Sequence, residues 1–244
     1  MINNKESSLH GKSSFLNRFQ HFIGEFIYGG IDGSVTTFAV VAGATGANLE
    51  SSVVIILGFA NLIADGFAMS VGAYLSTKSE QEQYEKHRAV EYWEIEHMPE
   101  KEVQEIREIY ASKGFEGDLL EQVVAKITED KDRWVDVMMK EELEMQKESK
   151  SPFQMGLVTF ISFLFLGFIP LIVYVLDYSG KGLEVDLFKY SSVLTFITFA
   201  GIGFAKSYVT ETAKLRSVLE TLFLGGSAAI LAYYVGVILE KMIS

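Results

Sequence analysis

The chain has 244 residues, 49% of them hydrophobic and 22% charged, with a formal net charge of -11 and no cysteine. The absence of cysteine excludes disulfide frameworks, thiolate zinc sites, iron–sulfur clusters and cysteine nucleophiles. The acid excess opposes nucleic-acid binding, which needs a basic face against phosphate, and points instead to cations as partners.

Residues 1–21 carry Lys5, Lys12 and Arg18 without an apolar signal core, so they read as a cytoplasmic tail and no cleaved signal peptide is expected. An apolar stretch from about Phe22 to Ala47, containing Glu25 and Asp32, predicts a first membrane span. Ser51 to Thr77, apolar apart from Asp65, predicts a second. An ionisable group inside a span costs roughly 2.5 kcal/mol or more at the bilayer centre, so Asp32 and Asp65 need a reason to be there. Both sit beside glycine, in Gly29-Gly30-Ile31-Asp32-Gly33 and Ala64-Asp65-Gly66, where another backbone or an ion can approach closely. Aspartates that lie near an interface or cap a broken helix are the plainer alternative. Ala60, Ala64, Ala68 and Gly72 form a small-residue stripe on span two, and Ala39, Gly43 and Ala47 repeat it on span one. Asp65 and Met69 lie one turn apart beside the first stripe, where an oxygen and a thioether suit a transition cation, although Met69 alone equally fits membrane packing.

Residues 78–150 differ in kind. They hold 21 Asp+Glu and 12 Lys+Arg, a local net of -9. Breaks at Pro99 and at Gly114 and Gly117 predict three helices: an extension of span two to about His97, a short helix from about Glu100 to Ala111, and a long one from about Asp118 to Glu148. Glu-x-x-Glu spacing sets two carboxylates on one helical face at Glu82/Glu85, Glu91/Glu94, Glu102/Glu105, Glu105/Glu108 and Glu141/Glu144. Like charges held together favour a divalent cation, yet solvated acidic faces look the same in sequence. Met138 and Met139 lie within a turn of Glu142 and would tilt such a site toward Fe(II) or Zn(II); core packing is the alternative for the pair.

Glu94-Ile95-Glu96-His97 contains one Glu-x-x-His, whereas carboxylate di-iron centres use two, so an iron oxidase is disfavoured and no enzyme is expected. No Gly-rich loop ending in Lys-Ser or Lys-Thr is present for ATP-driven pumping.

Ser151 to Leu176 is uncharged and as a helix would rise roughly 39 Å, more than the ~30 Å hydrocarbon core. Tyr190 to Ala205, borrowing Leu187 and Phe188, and Thr221 to Leu239 complete five spans. The fold class expected is therefore an all-α integral membrane protein, divided into the tail 1–21, spans one and two at 22–77, the acidic insert 78–150, and spans three to five at 151–244. Lys206, Lys214 and Arg216 between spans four and five, with the basic tail, place the amino terminus and the acidic insert in the cytoplasm.

The order of parts resembles the vacuolar iron transporter family, which includes nodulin-like and bacterial members. The resemblance runs from about Phe22 to Gly236 and is carried by Asp32-Gly33, Met69-Ser70-Val71-Gly72, the acidic insert, Trp134-Val135 with Met138-Met139, Ser151-Pro152-Phe153-Gln154, and Leu224-Gly225-Gly226. It implies a homodimeric five-span transporter in the lipid bilayer that moves Fe(II), and often Mn(II), out of the cytosol, coupled to protons. It further implies metal ligands at Glu91, Glu94, Glu102, Glu105, Met138, Met139 and Glu142, and a membrane path through Asp32 and Met69. Plant members carry a glutamate where this chain has Ala73, and Asp65 is expected to substitute in proton coupling. No prosthetic group is expected. A bacterial plasma membrane is the expected location. The rival reading is a membrane-anchored iron sensor or store that binds the ion without moving it.

Overall fold

The computed structural model describes residues 22–181 and 185–243. The tail 1–21, with the Lys5, Lys12 and Arg18 on which the expected orientation leans, lies outside the described residues. The described residues form helices and connecting turns, in the order α1 Ile23–Gly46, α2 Ser51–His97, α3 Pro99–Ser112, α4 Gly117–Thr128, α5 Lys131–Glu141, α6 Pro152–Gly167, α7 Ile172–Leu176, α8 Leu187–Val209 and α9 Lys214–Ile243. Five stretches among them are long and apolar enough to cross a membrane: α1, α2, the run Pro152–Gly180, α8 and α9. The chain divides into two units, residues through Tyr74 with those from Ser151 onward, and Leu75–Lys150.

In the first unit α1 packs against α6, α8 and α9, and α8 against α9. Its core holds Phe38, Val41, Val54, Leu62, Phe163, Leu171 and Phe199. Ile56, Phe67, Phe165 and Phe223 point outward, as lipid-facing side chains of a span do. The glycines beside Asp32 serve close approach: a Cβ added at Gly33 would stand 2.5 Å from the Phe163 carbonyl oxygen, so α1 and α6 meet backbone to backbone. The span-one stripe is a packing face of the same kind, since Gly43 meets Gly236 and Ala232 of α9. The span-two stripe is not packed within the chain, for Ala60, Ala64, Ala68 and Gly72 are all exposed.

Span three departs from the continuous helix expected over 151–176. It is interrupted after Gly167 by a single 3-10 turn at Ile169–Leu171 and resumes as α7. Pro170 is the cause, because it has no N–H for the carbonyl of Leu166 four residues back. Two serines repair the interruption. Ser34 Oγ donates to Leu166 O at 3.0 Å, and Ser191 Oγ donates to Pro170 O at 2.6 Å. In a membrane span no water stands ready to do this.

In the acidic unit α2 runs on without a break to His97, and Pro99 opens α3 at a first-turn position where its missing N–H costs nothing. Gly114 and Gly117 take φ of 90° and 55°, the left-handed region that favours glycine, and turn the chain into α4. The single long helix expected over 118–148 is a correction. It is two helices, α4 and α5, and helix ends at Glu141. Asp130 makes the division by leaving the helical conformation and accepting the Arg133 N–H at 2.9 Å as an N-cap. Beyond Glu141, Gln81 Nε2 pins the returning chain by donating to the carbonyls of Glu148 and Lys150. Tyr84, Ile95, Ile106, Val124, Trp134, Val135, Met138 and Met139 form this unit's own core.

Candidate metal centre

The carboxylates of the acidic unit sort by their partners. Glu82 faces Lys78, Glu85 faces Lys147 and Arg88, Glu96 faces Lys131, Glu121 faces Arg107, Glu129 faces Lys126, and Glu141 faces Lys113. These exposed pairs are solvated ion pairs of small net worth. Glu91 and Glu102 are different, being 3% and 1% exposed. Oε2 of Glu91 and both carboxylate oxygens of Glu102 are buried without a hydrogen-bond partner. A buried carboxylate left so is costly unless a cation or a proton joins it.

Helix geometry brings these groups together. Glu91 and Glu94 share a face of α2, the chain reverses at Met98 and Pro99, and Glu102 returns in the first turn of α3. Glu91, Glu94 and Glu102 each offer an oxygen within 4.8 Å of the others, a spacing that one divalent ion can span. Burial, then Glu142 and Glu94, push the Glu91 carboxyl up to about 7. Burial, then Glu105 and Glu94, push Glu102 up to about 7 as well. Glu142 is raised by burial and by Glu105, so Glu105 and Glu142 act on the same patch from its rim.

Met138 and Met139 are fully buried in the unit's apolar core, with Trp134 and Val135 beside them. Their spacing on α5 places them there as packing residues, whatever their sulfurs contribute to an ion. His97 lies apart from the carboxylate group, for its Nδ1 pairs with the Trp93 carbonyl at 2.8 Å and its ring stacks on Trp93. The Glu-x-x-His spacing therefore reflects a helix end.

Of the residues expected to form a membrane path, Asp32 lies on α1 and Asp65 and Met69 lie on α2. The carboxylates of Asp32 and Asp65 are close enough to act on one another electrostatically. One turn after Asp32 and one turn before Asp65, Asn61 Nδ2 donates to Thr36 Oγ1 at 3.3 Å and to Thr37 Oγ1 at 3.4 Å. Met69 is partly buried against the bundle core. Three residues escaped the sequence reading. Asn61 had a signal, a lone amide one turn from Asp65; Lys101, which bridges Glu102 and Glu105, had a weaker one; Ser34 had none.

The VIT family profile matches residues 23–237. The vacuolar iron transporter of Toxoplasma gondii (strain ATCC 50861 / VEG) is 34% identical over 238 residues, covering 95% of this chain and 79% of its own length. Vacuolar iron transporter 1 of Arabidopsis thaliana is 35% identical over 210 residues, covering 86% and 82%. The vacuolar iron transporter of Plasmodium falciparum (isolate 3D7) is 30% identical over 247 residues, covering 96% and 88%.

Proposed function

The chain belongs to the VIT family, a family of membrane metal transporters, and we propose that it is a secondary transporter exporting Fe(II), with Mn(II) as a second ion, from the cytosol by proton antiport. The acidic unit captures the ion and the membrane unit passes it on as a homodimer. The single observation that carries the capture step is the pair of buried carboxylates of Glu91 and Glu102, in which Glu91 Oε2 and both Glu102 oxygens lack a hydrogen-bond partner, joined by Glu94 within 4.8 Å. Hard oxygens gather a divalent ion there, and Glu105 and Glu142 add charge at the entrance. Met138 and Met139 are assigned as soft neighbours that bias the choice toward transition ions over Mg.

Asp32 and Met69 line the transfer path in this reading, and Asp65, facing Asp32, takes part in proton exchange. The exposed small-residue stripe of α2 supports a second copy packing there. The basic connection between α8 and α9, with Lys206, Lys214 and Arg216, supports a cytosolic acidic unit, and the membrane proposed is a bacterial plasma membrane, although the named relatives are vacuolar proteins.

Liposomes carrying the full-length protein and an internal metal-quenched dye test transport against storage. Fe(II) added outside under anaerobic conditions should quench the dye in proportion to protein. Tight Fe(II) binding with no entry would replace the transporter by a membrane-anchored sensor or store, and oxygen uptake on Fe(II) addition in a separate aerobic assay would replace it by an oxidase.

A further inference from the structure

Lys101 stands in the first turn of α3, where the helix dipole disfavours a cation. Its ammonium nevertheless lies 2.8 Å from Glu105 Oε1 and 3.7 Å from Glu102 Oε1, bridging two carboxylates one helical turn apart. The partners differ in freedom. Glu102 is 1% exposed and fixed by its surroundings, whereas the Lys101 side chain is 58% exposed on a flexible stem. Lys101 also opposes the field of Glu105 and Glu94 at Glu102, and that of the same two residues at Glu142.

We propose that the Lys101 ammonium is a built-in competitor for the metal: it holds the Glu102 and Glu105 side of the centre when the ion is absent and is displaced into solvent when a divalent ion is captured. The inference rests on the reading of Glu91, Glu94 and Glu102 as the capture site. A monovalent ammonium with three donors relieves part of the carboxylate repulsion but cannot match a divalent charge, so the exchange runs toward the metal. Each capture then costs the Lys101 ion pairs, which holds the affinity below what the carboxylates alone would give. A site that must hand its ion onward needs this, since binding has to be strong enough to load and weak enough to release.

Calorimetric titration of the full-length protein in detergent, with Mn(II) as a redox-stable probe, tests the assignment. Lys101→Gln should lower the Kd about fivefold to tenfold, as removal of one partly screened charge at this range predicts. Lys101→Arg keeps the charge and should stay within about twofold of wild type. Lys126→Gln, which removes an equal charge from the exposed Lys126–Glu129 pair, should also stay within about twofold. In thermal unfolding, Lys101→Gln should lower Tm without metal and match wild type at metal saturation, enlarging the metal-induced shift. A purely structural lysine would lower both. Unchanged or weaker Mn(II) binding by Lys101→Gln, or equal tightening by Lys126→Gln, would overturn the competitor while leaving the site intact, provided that Glu102→Gln abolishes binding. Wild-type binding by Glu102→Gln would remove the capture site itself.

Discussion

Glu91, near the end of α2, and Glu102, in the first turn of α3, bring carboxylate oxygens within 4.8 Å of one another across the break at Pro99, and both side chains are buried. A helical hairpin would ordinarily spend such positions on apolar packing, as Ile95 and Ile106 do alongside. Two acids in that place store a cost that a divalent ion would remove, and on that reading binding energy and folding energy of the acidic unit are linked.

Neutralising one member should separate the two energies. Glu102→Gln is expected to abolish tight metal binding and, at pH 8 without metal, to raise stability by about 1–2 kcal/mol, because it removes a buried charge facing other carboxylates. Both tryptophans of the chain, Trp93 and Trp134, lie in the acidic unit, so tryptophan fluorescence during unfolding reports that unit in the full-length protein. Glu82→Gln, in an exposed pair with Lys78, should change neither quantity measurably.

The pH dependence has opposite signs with and without the ion. Glu91 and Glu102 ordinarily titrate near 4.5 and are pushed up to about 7, first by burial. Between those values the folded unit binds more protons than the unfolded chain. The stability contributed by these two groups is therefore fully present below about 4.5 and is lost as pH rises through about 7. Metal binding needs the ionised forms, so affinity should climb from pH 6 to pH 8, with about one proton released per ion at pH 7. Titrations in buffers of different ionisation enthalpy count those protons; a pH-independent Kd over this range would contradict the assignment of Glu91 and Glu102 as ligands.

Ser34 offers a test of the membrane unit. Its hydroxyl serves the Leu166 carbonyl that Pro170 leaves without a helical donor, and it is fully buried. Ser34→Ala should destabilise the membrane unit by about 1–2 kcal/mol. Pro170→Ala should gain a helical bond to Leu166 and make the Ser34→Ala loss smaller in the double variant, and strictly additive losses in the cycle would show that the two residues are not coupled.

Much of this architecture is legible in the sequence for a simple reason: a bilayer requires long uncharged runs, and Ser151–Leu176 can be little else. The Pro99 break is equally plain because proline has one physical meaning inside a helix. Asp130 was missed because an aspartate in the run Thr128-Glu129-Asp130-Lys131-Asp132 looks like one more solvated charge until its side chain is seen capping Arg133 N–H. The candidate centre was legible as residues but not as a choice among them. Glu82/Glu85 and Glu91/Glu94 have the same spacing, and what separates them is that the first pair has lysine and arginine partners while Glu91 is buried, a tertiary property with no sequence period.

In the membrane unit, Asp65→Asn should reduce transport driven by a pH gradient while leaving Mn(II) binding by the acidic unit unchanged, since Asp65 belongs to a different unit from Glu91, Glu94 and Glu102. Comparing initial rates with and without the gradient reads this directly, and an unaltered pH response would remove Asp65 from the coupling step.

The most direct test of proton-coupled export follows both ions at once, in liposomes that carry the full-length protein, a metal-quenched dye and a pH dye. Fe(II) entry should be matched by proton exit, an inside-acid gradient should accelerate both, and Asp32→Ala should abolish both while Mn(II) binding by the acidic unit persists. Fe(II) entry that leaves the internal pH unchanged, or that survives Asp32→Ala at the wild-type rate, would contradict this reading.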